Sequence, residues 1–184
     1  KLQSEKENQI TEIETIINDQ KEIIDSLENL TQEEKDKLKE DLDKLVEDLV
    51  NDINNSGSVT DLESLVDSIV DNIDTVVDEA VFENSKEAAI KELKETKESL
   101  IYTIQSLINL EMKDKTTYLA QLESEFNAGI QTVLDSETKE QITVSKDLAI
   151  KMMNGVLKSA IDSDSSKLQS EKENQITEIE TIIN

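Results

Sequence analysis

Apolar residues recur along this chain at intervals of three and four. Ile10, Ile13, Ile17, Ile24 and Leu27 form one stripe, interrupted at Gln20. This is a heptad pattern, and it predicts an amphipathic helix. Ile90, Leu93, Leu100, Ile104 and Leu107 repeat it in the same phase with Lys97 in the gap, so the two stripes superpose at an offset of 80 residues. The offset persists: Leu42 matches Leu122, Val46 matches Phe126, Ile53 matches Val133, Leu62 matches Ile142, Ile73 matches Met153 and Val76 matches Val156. A second helix is expected on Leu38, Leu42, Leu45, Leu49 and Ile53, and a third on Leu62, Val66, Ile69, Ile73, Val76 and Ala80.

The breaks between stripes carry their own chemistry. Thr31-Gln32-Glu33-Glu34 reads as a capping box, in which the Thr31 hydroxyl accepts from the Glu34 amide and the Glu34 carboxylate reaches back. Asn54-Asn55-Ser56-Gly57 reads as a helix stop suited to a left-handed residue, and Ser58-Val59-Thr60-Asp61 starts the third helix. Thr138-Lys139-Glu140-Gln141 is the matching start in the second half. Short polar residues at 83–85 and 162–166 leave two options at the ends of the third helices, a continuous helix or a kink.

The stretch KLQSEKENQITEIETIIN occurs twice, at 1–18 and letter for letter at 167–184, a period of 166 residues. The expected organisation is therefore a three-helix module over 1–85, a second over 86–166, and the first helix of a further repeat over 167–184. Three helices of roughly 22–26 residues, each about 35–40 Å long, bury their stripes by folding antiparallel. The fold class is all-α, tandem three-helix bundles in a spectrin-like elongated rod.

Composition narrows the chemistry. Of 184 residues 43 are Asp or Glu; the 19 cationic residues are all Lys, and there is no His, Cys, Pro or Trp. Without His or Cys there is no unperturbed side chain titrating near neutrality, no thiol nucleophile and no soft metal ligand, so no catalytic residue and no cofactor site is assigned. A net charge of −24 repels phosphate backbones and anionic lipid, which excludes nucleic acid as the expected partner. No apolar run reaches the roughly 18 residues of a membrane span. The charge is uneven: residues 1–85 carry 7 Lys against 25 acids, residues 86–166 carry 10 against 14.

Two acidic groupings carry the oxygen-rich residue types of a metal site. Asp61, Glu63, Asp67, Asp71, Asp74 and Asp78 line the third helix, where single carboxylates three or four residues apart read as a solvated face rather than the oxygen cage that calcium prefers. Asp162, Asp164, Ser166, Leu168, Ser170 and Glu173 fall at positions 1, 3, 5, 7, 9 and 12 of an EF-hand loop, but Lys167 stands where that loop needs Gly. No metal is assigned; Asp162, Asp164, Ser166 and Glu173 are the calcium candidates. Asn29-Leu30-Thr31 and Asn54-Asn55-Ser56 match glycosylation sequons, triplets that arise often by chance in an Asn/Ser/Thr-rich chain. Of the four aromatics, Phe82, Tyr102, Tyr118 and Phe126, the latter two lie near core positions and are expected to pack there.

The segments Leu27-Glu28-Asn29-Leu30-Thr31-Gln32-Glu33-Glu34-Lys35, Lys86-Glu87-Ala88-Ala89-Ile90 and Ser136-Glu137-Thr138-Lys139-Glu140-Gln141-Ile142 together resemble the three-helix repeats of giant Gram-positive cell-surface adhesins. Those are the extracellular-matrix-binding proteins of staphylococci and streptococci. The resemblance implies a secreted, cell-wall-attached protein and a non-enzymatic stalk or spacer that projects an adhesive domain. Its expected partners are neighbouring repeats of the same chain in a monomeric rod. A repeat that binds a host extracellular protein weakly and gains by avidity, and a cytoplasmic spectrin-like scaffold, are the alternatives.

Overall fold

The computed structural model describes residues 1–183; Asn184, the last residue of the terminal copy, lies outside them. The chain is all-α, with five helices and no strand among the described residues: α1 (Leu2–Asp25), α2 (Gln32–Asn55), α3 (Val59–Ser106), α4 (Met112–Leu134) and α5 (Lys139–Ile183). They fall into two compact units, Lys1–Glu87 and Ala88–Asn184. The first part of α3 belongs to unit one and the remainder to unit two.

In unit one the three stripes meet in one apolar core. Ile13, Ile17 and Ile24 of α1, Leu42, Leu49 and Ile53 of α2, and Leu62, Ile73 and Val77 of α3 are buried together. Val77 replaces Val76 as the fully inserted residue, and Val76 packs at the margin of the core with Val66 and Ile69. In unit two the buried set includes Leu93, Leu100 and Ile104 from α3, Leu122, Phe126 and Val133 from α4, and Ile142, Ala149, Met153 and Ala160 from α5. Shifted by 80 residues, Ile13, Ile24, Leu42, Leu49, Ile53, Leu62, Ile73 and Ala80 all land on buried positions, so the spacing in the sequence is also a spacing of environments.

The helix starts follow from local chemistry. Thr31 and Glu34 close the reciprocal capping box, with the Thr31 hydroxyl accepting from the Glu34 amide at 3.3 Å and the Glu34 carboxylate accepting from the Thr31 amide at 2.8 Å. The Ser58 hydroxyl accepts from the Asp61 amide at 3.1 Å and so starts α3. At α5 the box is displaced: Thr138 accepts from the Gln141 amide, but the Gln141 side chain reaches one residue further back and accepts from the amide of Glu137.

The stop after α2 departs from expectation. No described residue has a positive φ, so Gly57 takes no left-handed conformation; the helix ends at Ser56, whose backbone turns extended at φ −60° and ψ 136°. The polar stretches 83–85 and 162–166 are helical, inside α3 and α5. Their hydroxyls do not compete with the helix, because Ser85 and Ser166 donate back to the carbonyls of Val81 and Asp162 four residues earlier.

Candidate functional site

None of the five helices has a basic residue in its last turn, where the exposed carbonyls and the helix dipole favour a cation. At the ends of α1, α2 and α3, lysines from neighbouring helices supply it. Lys35 donates to the Asp25 carbonyl at the end of α1 at 3.0 Å, while Lys39 pairs with the Asp25 carboxylate at 2.7 Å. That pairing, Asp25 foremost, raises the Lys39 pKa above the ordinary lysine value. Lys6 of α1, itself buried, donates to the Asn54 carbonyl at the end of α2 at 2.8 Å. In unit two Lys115 reaches the Gln105 carbonyl at 2.8 Å, the counterpart of Lys35 and Asp25 eighty residues on.

A second contact locks the same turn. The amide of Asn29, between α1 and α2, donates to the Asn84 side chain at 2.8 Å. At the same offset, the amide of Asn109 donates to the Asp164 carboxylate at 2.7 Å, and the Asn109 side-chain amide adds a bond at 2.9 Å. These bonds, the Asn109 side chain first, hold the Asp164 carboxyl below the ordinary aspartate value.

This places the calcium candidates. The helical backbone of α5 runs through all of them, so no loop wraps a cation. On a helix Asp164 points about 200° away from Asp162, and Glu173 lies about 16 Å further along the axis. Asp162 pairs with Lys158, Ser166 donates to the Asp162 carbonyl, and Glu173 accepts from Gln169. Lys167 pairs with Asp114 and, at 3.7 Å, with Glu111 at the start of α4; Asp114 foremost, these raise its pKa. Asp61, Glu63, Asp67, Asp71, Asp74 and Asp78 are all exposed, and among the described residues no three acidic side chains converge to hold a metal ion.

Phe126 is buried beneath the Lys97 ammonium, which lies 3.9 Å from the ring centroid and 3.0 Å from Glu123. Tyr118 is half-buried, with its hydroxyl 2.5 Å from that of Ser163. Tyr102 is exposed. Of the sequons, Asn29 belongs to the turn lock and Asn54 is exposed, its carbonyl held by Lys6.

The lysine contacts at helix ends and the Asn84 and Asp164 locks were not anticipated. A signal for them existed in the absence of basic last turns and in the recurrence of Lys6 with Lys86 and of Lys35 with Lys115 at the same offset.

Among the described residues, α5 leaves apolar side chains uncovered along two stretches. On α5, Val144, Leu148 and Met152 are exposed along one face, where unit one carries Ser64, Ser68 and Asn72. Further along, Ile176, Ile179, Ile182 and Ile183 of the terminal copy are exposed. No described helix is long and apolar enough to cross a membrane.

No curated protein and no solved structure matches the chain. Residues 5–81, less than half of the chain and all within unit one, match the family model described as Domain of Unknown Function (DUF1542), a domain family found in Gram-positive surface proteins.

Proposed function

We propose that the chain is a non-enzymatic spacer from a giant repetitive surface protein, built as tandem three-helix bundles in a spectrin-like elongated rod that holds an adhesive domain away from the cell. The observation that carries this reading is the recurrence of the same closing contacts at an offset of 80 residues, Lys35 and Asn84 in unit one, Lys115 and Asp164 in unit two. A unit that satisfies its own helix ends and its own core can be multiplied without redesign, each copy meeting only its neighbours. Acidic surfaces keep such rods soluble and mutually repelling. Small-angle scattering and sedimentation of the full chain test the reading, with an elongated monomer expected at micromolar concentration. A compact globular profile or an obligate dimer overturns it.

One observation favours a second reading, a repeat that binds a host extracellular protein weakly and gains by avidity. Val144, Leu148 and Met152 present apolar area at positions where unit one is polar. Capture of a serum protein by the wild-type chain, lost in Leu148→Ser/Met152→Asn, would support binding over spacing alone.

A further inference from the structure

A groove of about 360 Å³ lies between α2 and α3 of unit one, complete within residues 30–83. Its floor is apolar, made by Leu30 from the turn after α1, Leu38 of α2, and Val76 and Ala80 of α3. Leu38 and Val76 pack against the core yet stay half-buried, so both leave apolar area in the groove. Glu34 and Asp41 on α2 and Glu79 and Glu83 on α3 wall it, against the single ammonium of Lys37. We propose that this groove is a docking site for a basic amphipathic helix of another protein, which lays apolar side chains on the floor and sets lysine or arginine against the acidic walls.

The walls select this occupant. Glu79 and Glu83 are one helical turn apart, about 6 Å, and Glu34 and Asp41 are two turns apart, about 10 Å. Cations four and seven residues apart on a partner helix repeat both intervals, and that spacing leaves an apolar stripe beside them for the floor. The volume is at the small end for a ligand site, which suits a few side chains of a helix laid across it. Among the described residues Glu83 has Lys86 at 3.7 Å, and no ion pair joins Glu34, Asp41 or Glu79. The Thr31 hydroxyl and amide keep Glu34 ionised, lowering its pKa.

Unit two holds the closed form of the same groove. Eighty residues on, Tyr118 replaces Leu38 and reaches from α4 to α5, its hydroxyl 2.5 Å from that of Ser163, which stands in place of Glu83. Asp41 and Glu79 become Gln121 and Ser159, and Asp114, the counterpart of Glu34, is paired with Lys167. Leu110, Val156 and Ala160 repeat the floor. One unit crosses this floor with a tyrosine and strips its acidic walls; the other leaves it open between carboxylates.

The test uses the isotope-labelled full chain and a synthetic leucine–lysine helix of about five turns, with leucines on one face and lysines flanking them. Saturable binding is expected, with amide shifts concentrated at residues 30–41 and 76–83 and absent from the matching residues of unit two. Leu38→Tyr/Glu83→Ser installs the pair that unit two already accommodates and is expected to weaken binding about tenfold or more. Asp41→Gln/Glu79→Ser, again the residues of unit two, is expected to weaken it about three- to tenfold at low salt and to remove most of its salt dependence. This second variant leaves the buried core untouched, so it decides if the first disturbs the fold. A peptide of the same composition with its leucines scattered round the helix is expected to bind at least about tenfold more weakly. Equal binding by that peptide, or shifts spread over both units, overturns the proposal in favour of a general attraction between a cation and an acidic chain. Affinity unchanged in Asp41→Gln/Glu79→Ser, or no binding at millimolar peptide, overturns it as well.

Discussion

Leu49 and Gly129 stand at the same place in their units, eighty residues apart, and close them by opposite means. In unit one Leu49 is fully buried and Ile69 packs against the same core, so side chains fill the space between α2 and α3. In unit two the corresponding residues are Gly129 and Ala149, and a Cβ added at Gly129 would stand 2.4 Å from the Ala149 Cβ. There the two helices themselves meet, and backbone proximity replaces aliphatic bulk. The replacement extends outward: Leu38, Leu45 and Val66 of unit one are matched by Tyr118, Glu125 and Lys146, and Lys146 pairs with Glu92 at 2.8 Å. One helical pattern thus supports two packing solutions, the first driven by apolar area and the second by close fit and polar contacts at its margin.

The largest expected effect follows from the bulk in unit one. Leu49→Ala should cost about 2–5 kcal/mol in unit one, because a fully buried leucine leaves a cavity as well as losing its transfer energy. Hydrogen exchange resolved by segment would localise the loss, with unit two unaffected. A cost below about 1 kcal/mol would mean that the helices of unit one collapse together as those of unit two already do.

Unit two should show the reverse sensitivity. Gly129→Ala gains helix propensity of about 1 kcal/mol, but its methyl has no room against Ala149, and a net loss of about 1–2 kcal/mol is expected as α4 and α5 are pushed apart. Gly155→Ala is the control. It meets nothing within 4 Å and should stabilise by about 0.5–1 kcal/mol. Chemical denaturation of both variants would check this, and equal effects would remove the argument for close approach.

At the interrupted stripe the comparison favours unit two. The Gln20 Oε1 is buried without a hydrogen-bond partner, and its amide reaches Asp74 only at 3.4 Å. Unit two has buried Leu100 at the matching position. Gln20→Leu should therefore raise the stability of unit one by about 1 kcal/mol, measured as a shift in its denaturation midpoint. A destabilised variant would show that the bond to Asp74 outweighs the orphaned oxygen.

The smallest effect distinguishes the two turn locks by pH. The carboxyl of Asp164 titrates below its ordinary value of 3.8, so its contribution is whole above that value and is lost as pH falls through the lower value of the folded state. Asn84 makes the matching bond in unit one and does not titrate. Asp164→Asn should leave unit two slightly weaker near neutrality but flatten the decline of its melting temperature below pH 4. Parallel curves for wild type and variant would assign the acid sensitivity elsewhere. In unit one, Glu34 of the capping box, held below its ordinary value by Thr31, has the same sign of dependence.

The features readable beforehand are those whose physics is complete within a few residues. Thr31 with Glu34 and Ser58 with Asp61 are bonds across three positions, and the 3–4 spacing of apolar residues is itself the geometry of a helix face. The left-handed stop at Gly57 failed because glycine permits that conformation without requiring it, and Ser56 ends the helix by an extended turn instead. The EF-hand spacing at 162–173 could not be weighed from the sequence alone, because loop positions have meaning only in a loop, and these residues are helical.

What lay beyond the sequence is long-range. Lys6 finds Asn54 across 48 residues, Asn29 finds Asn84 across 55, and Gly129 takes its meaning from Ala149. The terminal duplicate separates the two kinds of information most sharply. The same residues form a helix at both ends of the chain, because helix formation here follows from propensity, spacing and bonds within one turn. They are buried at one end and exposed at the other, because burial needs a partner surface, and α2 and α3 provide it only for the first copy.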